Sequence, residues 1–192
     1  MNKNRLEAFS DGVLAILITI MVLELKVPYG SNWVAVKPVL ETLGSYLMSF
    51  VYLGIYWGNH HHLLHTANRV NAKIIWANMN LLFWLSLIPF VTSWMGGNSF
   101  DSVSVAVYSI LLVLCGISFS ILRKAIQSTK TEHTRFSEAF HKSNIREKIS
   151  TALYLAAVPL AFVDTLFSLV LIVVVALIWI VPNKEIEQIL SE

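Results

Sequence analysis

Residues 5–11, RLEAFSD, lead directly into residues 12–23, GVLAILITIMVL, and this stretch decides the fold. Thr19 carries the only polar side chain of the apolar part. A carboxylate such as Asp11 at the mouth of a membrane helix is costly, and such groups generally have a task. Because most of the remaining chain is hydrophobic, we expect function to concentrate in this segment.

The composition predicts an all-α integral membrane protein. Of the 192 residues, 56% are hydrophobic and 14% are charged, whereas soluble domains carry about 25% charged residues. The single cysteine, Cys115, excludes a disulfide framework. No basic patch stands apart from the loops, so we expect no nucleic-acid partner. Residues 1–192 are predicted to form one transmembrane domain.

Hydropathy predicts six membrane spans, with a tight turn at Asp164-Thr165 before the last one. The spans are about 6–26, 38–66, 73–95, 102–124, 148–163 and 166–182. With the N-terminus inside, the outer segments hold only Lys26 and Lys37 of the 14 Lys and Arg residues. This positive-inside bias predicts a multi-pass protein of the cell membrane with both termini cytoplasmic.

A helical wheel of the first span places one set of residues on a single stripe. This set is Arg5, Phe9, Gly12, Ile16, Thr19, Ile20 and Leu23. Ser10 and Asp11 fall on the opposite side. The apolar members are compatible with ordinary helix packing. Spacing alone favours this packing interpretation, but it also allows several copies of the helix around an axis, where rings of Ile and Leu would form a hydrophobic constriction with Thr19 as a polar ring.

A polar layer is predicted behind this stripe. Asp11, His61 and Asn78 share a depth in the membrane when the first three spans alternate in direction. Polar groups in hydrocarbon must find one another, because an unpaired group costs several kcal/mol. We therefore expect a hydrogen-bonded layer of Ser10, Asp11, Asn78 and either His60 or His61.

The histidine run from His60 to His65 also suggests a metal site. His61 and His65 have the i, i+4 spacing of a shared zinc ion, but Asp11 is the only clear carboxylate expected at that depth. We therefore predict that the histidines are hydrogen-bond partners, with no metal and no cofactor. No nucleophile elbow, Walker loop or dinucleotide fingerprint occurs, so we expect no enzymatic activity.

Several motifs resemble one known family. They are Arg5-x-x-x-Phe9-Ser10-Asp11, the phrase Trp57-Gly58-Asn59-His60-His61, and the run from Trp76-Ala77-Asn78 to Pro89-Phe90. These motifs resemble the transmembrane protein 175 family, the lysosomal potassium channels and their prokaryotic relatives. The resemblance implies a homotetrameric cation channel that prefers potassium and is lined by the first helix.

The resemblance also implies residue roles. The constriction would fall on Ile16, the pore hydroxyl on Thr19, and further apolar layers on Ile20 and Leu23. A structural polar network would comprise Arg5, Phe9, Ser10, Asp11, His60, His61 and Asn78. The chain lacks a Thr-Val-Gly-Tyr-Gly carbonyl filter, so selectivity must arise in another way.

Three functions stay open from the sequence. The leading one is a homotetrameric, potassium-selective leak channel whose partners are its own copies, membrane lipid and monovalent cations. The second is a proton-coupled small-solute transporter that uses Asp11 and His61. The third is a non-conducting membrane interaction protein with a structural polar layer.

Overall fold

The computed structural model describes residues 2–28, 33–67, 69–129 and 135–180. All regular structure in these residues is helical. The elements are α1 (Lys3–Ile20), extended by a 3-10 turn (Met21–Glu24), α2 (Trp33–His65), α3 (Ala72–Ser86), α4 (Ile88–Gly97), α5 (Ser102–Gln127), α6 (Arg135–Leu160) and α7 (Thr165–Ile180). The predicted all-α membrane class is confirmed.

Four helical segments in the described part of the chain are long and apolar enough to cross a membrane. They are Lys3–Glu24, Val39–His65, Ala72–Gly97 and Ser102–Gln127. These segments coincide with the first four predicted spans. The predicted fifth span matches only the C-terminal half of α6, and the sixth matches α7, which is apolar but shorter. Residues 181 and 182 of the sixth prediction lie outside the described residues.

The third predicted span is divided at Leu87 into α3 and α4. Leu87 N–H donates to Trp84 O at 3.2 Å, which is the tighter bond of a 3-10 turn. Pro89 follows in the first turn of α4, and it has no N–H with which to continue the α-helical pattern. The missing N–H of Pro89 therefore explains why the helix is interrupted at Leu87, between α3 and α4.

The polar connector predicted over residues 125–147 is shorter than expected. α5 continues to Gln127 and α6 begins at Arg135, so most of the connector is helical. At the other end of α6 the predicted turn is confirmed: α6 ends at Leu160, and Asp164 Oδ1 accepts from Leu166 N at 2.9 Å as α7 begins. A carboxylate at this position satisfies an N–H group that the helix itself leaves free.

α5 is the most deeply buried of the membrane-capable helices. Hydroxyl groups hold the helices around it together. Ser49 on α2 lies 2.9 Å from the Tyr108 hydroxyl on α5 and accepts from the Thr92 hydroxyl on α4 at 2.6 Å. Tyr52 donates to Ile172 O on α7 at 2.6 Å. Each buried hydroxyl thus has a partner inside the bundle.

α2 and α4 approach each other closely at Gly96. A side-chain Cβ at this position would lie 2.9 Å from Thr42 Cα and would overlap Ser45 Oγ. By contrast, the space beside Gly54 and Gly58 is open among the described residues. The close helix contact that a small-xxx-small face at these two glycines suggests is therefore absent within the described part of one chain.

Candidate functional site

α1 has one buried face and one exposed face. The buried face repeats every three to four residues, as expected for a helix packed on one side. It consists of Leu6, Ser10, Leu14, Leu17 and, in the 3-10 turn, Met21. Because these residues contact the bundle, the opposite face of α1 points away from the chain's own core.

The exposed face coincides with the predicted stripe. Ile16 is 59% exposed, Ile20 39% and Leu23 77%, although Leu17 and Met21 between them are buried. Arg5, Phe9, Gly12 and Thr19 are exposed on the same side. A single copy of the chain therefore leaves all seven stripe residues uncovered.

Thr19 adds one polar group to this apolar face. Its hydroxyl donates to Ile16 O at 2.9 Å, which satisfies the proton within the helix. The oxygen lone pairs remain directed away from that bond. The stripe therefore presents a hydroxyl oxygen beside the Ile16 and Ile20 side chains.

Ser10, Asn78 and His60 form a hydrogen-bonded chain that joins α1, α3 and α2. All three side chains are fully buried. Asn78 Nδ2 donates to Ser10 Oγ at 2.9 Å, and Ser10 Oγ donates to Leu6 O at 2.8 Å. His60 Nε2 lies 2.7 Å from Asn78 Oδ1. Because an amide oxygen only accepts, His60 carries its proton on Nε2.

Three further residue pairs connect α1 to α2 in a row. Each step of four residues forward along α1 is matched by a step of four residues back along the antiparallel α2. The pairs of this contact row are Lys3 with His65, Glu7 with His61, and Asp11 with Trp57.

The first and third pairs of the contact row are hydrogen bonds. Lys3 Nζ donates to His65 O at 2.8 Å, and Trp57 Nε1 donates to Asp11 Oδ1 at 3.1 Å. In the middle pair, His61 Nδ1 lies 2.9 Å from Glu7 Oε1. The row therefore holds the half-buried flank of α1 against α2 and leaves the stripe free.

The structure divides the predicted polar layer into two groups. Ser10, His60 and Asn78 come together as expected, with His60 as the histidine that joins them. Asp11 and His61 do not belong to that chain of bonds, because each takes a different partner in the contact row. Arg5 and Phe9 lie on the exposed stripe and not beside the buried group.

Three residues of the contact row, Lys3, Glu7 and Trp57, were given no site role from the sequence. Glu7 occupies a variable position of the motif, and Trp57 entered only within the phrase that carries the family resemblance. The signal that identifies them is the i, i+4 spacing of Lys3, Glu7 and Asp11, which mirrors the same spacing on α2. Glu7, and not the predicted Asp11, is therefore the carboxylate neighbour of His61 and His65.

A buried ion pair connects α5 and α6 outside this site. Arg123 Nε lies 2.6 Å from Glu147 Oε1, and Arg123 Nη2 donates to Glu147 Oε2 at 2.9 Å. Ser120 also donates to Glu147 Oε2. The bidentate geometry fixes the relative position of the two helices.

Comparison with known proteins gives this geometry its context. The family model described as endosomal/lysosomal potassium channel TMEM175 matches residues 5–89, which include α1 and the histidine run. A Chryseobacterium protein named a potassium channel is 48% identical over 192 residues, covering 100% of both chains. The chain belongs to the TMEM175 family.

Other TMEM175 relatives match nearly the whole length. A Streptomyces collinus protein named a potassium channel is 32% identical over 177 residues, covering 85% of each chain. The crystal structure of a lysosomal potassium-selective channel TMEM175 homolog from Chamaesiphon minutus has a TM-score of 0.71 and 26% identity. That match covers 92% of this chain and 95% of the other, so the TMEM175 architecture extends beyond the motif region.

Proposed function

We propose that this chain is a potassium-selective leak channel that assembles as a homotetramer. The observation that carries the proposal is the 48% identity, over the full length of both chains, to a Chryseobacterium potassium channel. The activity is passive conduction and not catalysis. Its partners are further copies of the chain, membrane lipid and the permeant potassium ion.

The exposed stripe of α1 is the proposed pore lining. Four copies arranged around an axis would bring the stripes together and cover them. Ile16 would form the constriction, Ile20 and Leu23 would form further apolar layers, and Thr19 would supply a ring of oxygens. Narrow apolar rings close a pore by dewetting, and oxygens replace part of an ion's hydration shell.

The buried polar groups are proposed to position α1 and not to contact the ion. Ser10, His60 and Asn78 hold the helix from behind, and the contact row holds its flank. Both sets lie away from Ile16 and Thr19 on the helix. A change in either set would therefore act through the placement of the pore helix.

The proposed location is the cell membrane, with both termini in the cytoplasm. This orientation is supported by the distribution of Lys and Arg along the sequence. It places the contact row and the start of α1 on the cytoplasmic side. Lys3 and His65 would then mark the inner mouth of the channel.

Ion flux from liposomes that contain only this protein tests the proposed function. Vesicles with potassium, sodium or proton gradients are compared at equal protein content. We expect potassium flux to exceed sodium flux. Absence of flux in a correctly assembled protein would favour the non-conducting interaction protein.

The same flux experiment tests the proton-coupled alternative. A direct relay between Asp11 and His61 gains no support from the geometry, because Asp11 accepts from Trp57 and His61 lies against Glu7. Solute movement that requires a proton gradient and disappears in both Asp11→Asn and His61→Gln would nevertheless establish the transporter. Potassium flux that persists without a proton gradient would exclude it.

A further inference from the structure

The middle of the contact row gathers three side chains of a kind that binds metal ions. Glu7, His61 and His65 each offer one ligand atom, and these atoms all lie within 4.8 Å of one another. Glu7 Oε1 is 2.9 Å from His61 Nδ1 and 3.6 Å from His65 Nε2. Two histidines and one carboxylate make a ligand set that zinc sites use.

We propose that Glu7, His61 and His65 form a binding site for a divalent transition-metal ion of the zinc class. In a tetrahedral zinc site with bonds of about 2.0–2.2 Å, neighbouring ligand atoms lie about 3.3–3.6 Å apart. The two separations measured from Glu7 Oε1, 2.9 Å to His61 Nδ1 and 3.6 Å to His65 Nε2, lie close to this range. Small side-chain rotations are therefore enough to complete the site, with water in the fourth position.

A buried carboxylate oxygen without a hydrogen bond supports this site independently. Among the described residues, Glu7 Oε1 is buried from solvent and makes no hydrogen bond, although His61 Nδ1 is 2.9 Å away. A buried carboxylate oxygen is stabilised by a cation, and a metal ion held jointly with His61 and His65 would supply one.

The contacts around His61 and His65 hold the proposed ligands in position for metal coordination. His61 and His65 project from one face of α2 at i, i+4, the spacing that lets two histidines on a helix share a zinc ion. Their rings are 4.7 Å apart between centroids. Trp57 stacks on His61 from the preceding turn, and Lys3 binds the carbonyl of His65. Both helices are thereby held in register around the site.

The site is also open to an ion from solution. The His61 and His65 side chains are 42% and 48% exposed, while Glu7 is 14% exposed. Imidazole nitrogens favour Zn²⁺, Co²⁺, Ni²⁺ and Cu²⁺ over Mg²⁺ and Ca²⁺, which prefer oxygen ligands. The proposal concerns binding alone, and it does not depend on whether the chain conducts ions.

Metal titration of the purified full-length protein, stripped with a chelator and free of any histidine tag, tests the site. We expect one Zn²⁺ per chain by calorimetry, and Co²⁺ is expected to produce the visible absorption of a nitrogen–oxygen site. Glu7→Gln keeps the shape of the side chain, so it should fold normally. Because the loss of an outer-shell partner already costs about 10-fold or more in affinity, the loss of a direct carboxylate ligand should weaken Zn²⁺ binding at least about 10-fold. His65→Ala should weaken binding at least as much.

His62→Ala is the matched control. His62 belongs to the same histidine run but is not part of the three-residue cluster, so its removal should leave the affinity unchanged. Equal affinity in wild type, Glu7→Gln and His65→Ala would overturn the proposal. So would the absence of saturable Zn²⁺ binding by the wild type, which would leave Glu7 and the histidines as an ion-paired group only.

Discussion

The indole N–H of Trp57 donates to Asp11 Oδ1 over 3.1 Å, which joins α1 to α2 at the start of the apolar stretch. The aspartate of the family motif thus binds a tryptophan and not a histidine. Removal of Asp11 consequently leaves the Ser10–Asn78–His60 bonds intact. A substitution at Asp11 should therefore cost the stability of one hydrogen bond.

Asp11→Ala should lower the stability of the protein by about 0.5–1.5 kcal/mol, the usual net value of one hydrogen bond. Asp11→Asn keeps an acceptor oxygen and should be milder. Thermal unfolding in detergent, combined with size-exclusion chromatography, measures both. Trp57→Phe closes a double-mutant cycle, and strictly additive losses from the two single variants would show that the bond contributes nothing.

Asn78→Leu should be more damaging, because it removes the partner of two buried groups at once. Ser10 and His60 would each lose a bond, at a cost of about 1–3 kcal/mol per unsatisfied group. Asn80→Leu is the control on the same helix, since Asn80 is partly buried and its amide donates to Ser118. Equal melting temperatures for the two variants would contradict the importance of the buried chain.

Ile16→Asn should hydrate the proposed constriction and reduce discrimination between potassium and sodium. The asparagine amide forms hydrogen bonds with water, whereas a ring of isoleucine side chains around the pore axis excludes water. Flux ratios in liposomes report the change. Ile117→Asn is the matched control, because Ile117 is an exposed isoleucine on α5 and outside the stripe. An Ile16→Asn protein that assembles and conducts like wild type would place the constriction elsewhere.

Thr19→Val should lower the preference for potassium more than it lowers expression. Valine has nearly the shape of threonine but no hydroxyl oxygen to face the ion. Thr19→Ser retains the oxygen and should keep most of the preference. A permeability ratio that is the same in wild type and Thr19→Val would remove this hydroxyl from the selectivity mechanism.

Glu147→Gln should destabilise the α5–α6 contact by about 3–5 kcal/mol, because Arg123 would remain charged and buried without its partner. The paired replacement Arg123→Met with Glu147→Met removes both charges and should be less harmful. Chemical unfolding in detergent compares the variants. A double variant that is less stable than Glu147→Gln would show that the pair is a net source of stability.

The helical class and the free stripe of α1 were predictable from the sequence because both depend on periodicity. The wheel placed Ile16, Thr19, Ile20 and Leu23 together, and the structure leaves all four exposed on one side. Their role as pore residues stays a prediction. The position of the last turn was also predictable, since Asp164 interrupts an otherwise continuous apolar run.

The choice of partners was less predictable. A helical wheel gives the direction of a side chain but not how far it extends. Asp11 was therefore predicted to pair with the polar side chains at its own depth in the membrane. Trp57 and Glu7 became visible only when the antiparallel register of α1 and α2 was known. The start of α6 was missed for a different reason: residues 135–147 are polar, and hydropathy alone does not distinguish a polar helix from a polar connector.

The length of α2 has a consequence for the lipid environment. Its 33 residues span about 50 Å at about 1.5 Å per residue, whereas the hydrocarbon core is about 30 Å thick. The helix must therefore tilt or extend beyond the hydrocarbon, and its histidine-rich end is the polar one. Because Lys3 and Glu7 of α1 contact that end, we expect a change in bilayer thickness that alters the tilt of α2 to alter the position of α1 as well.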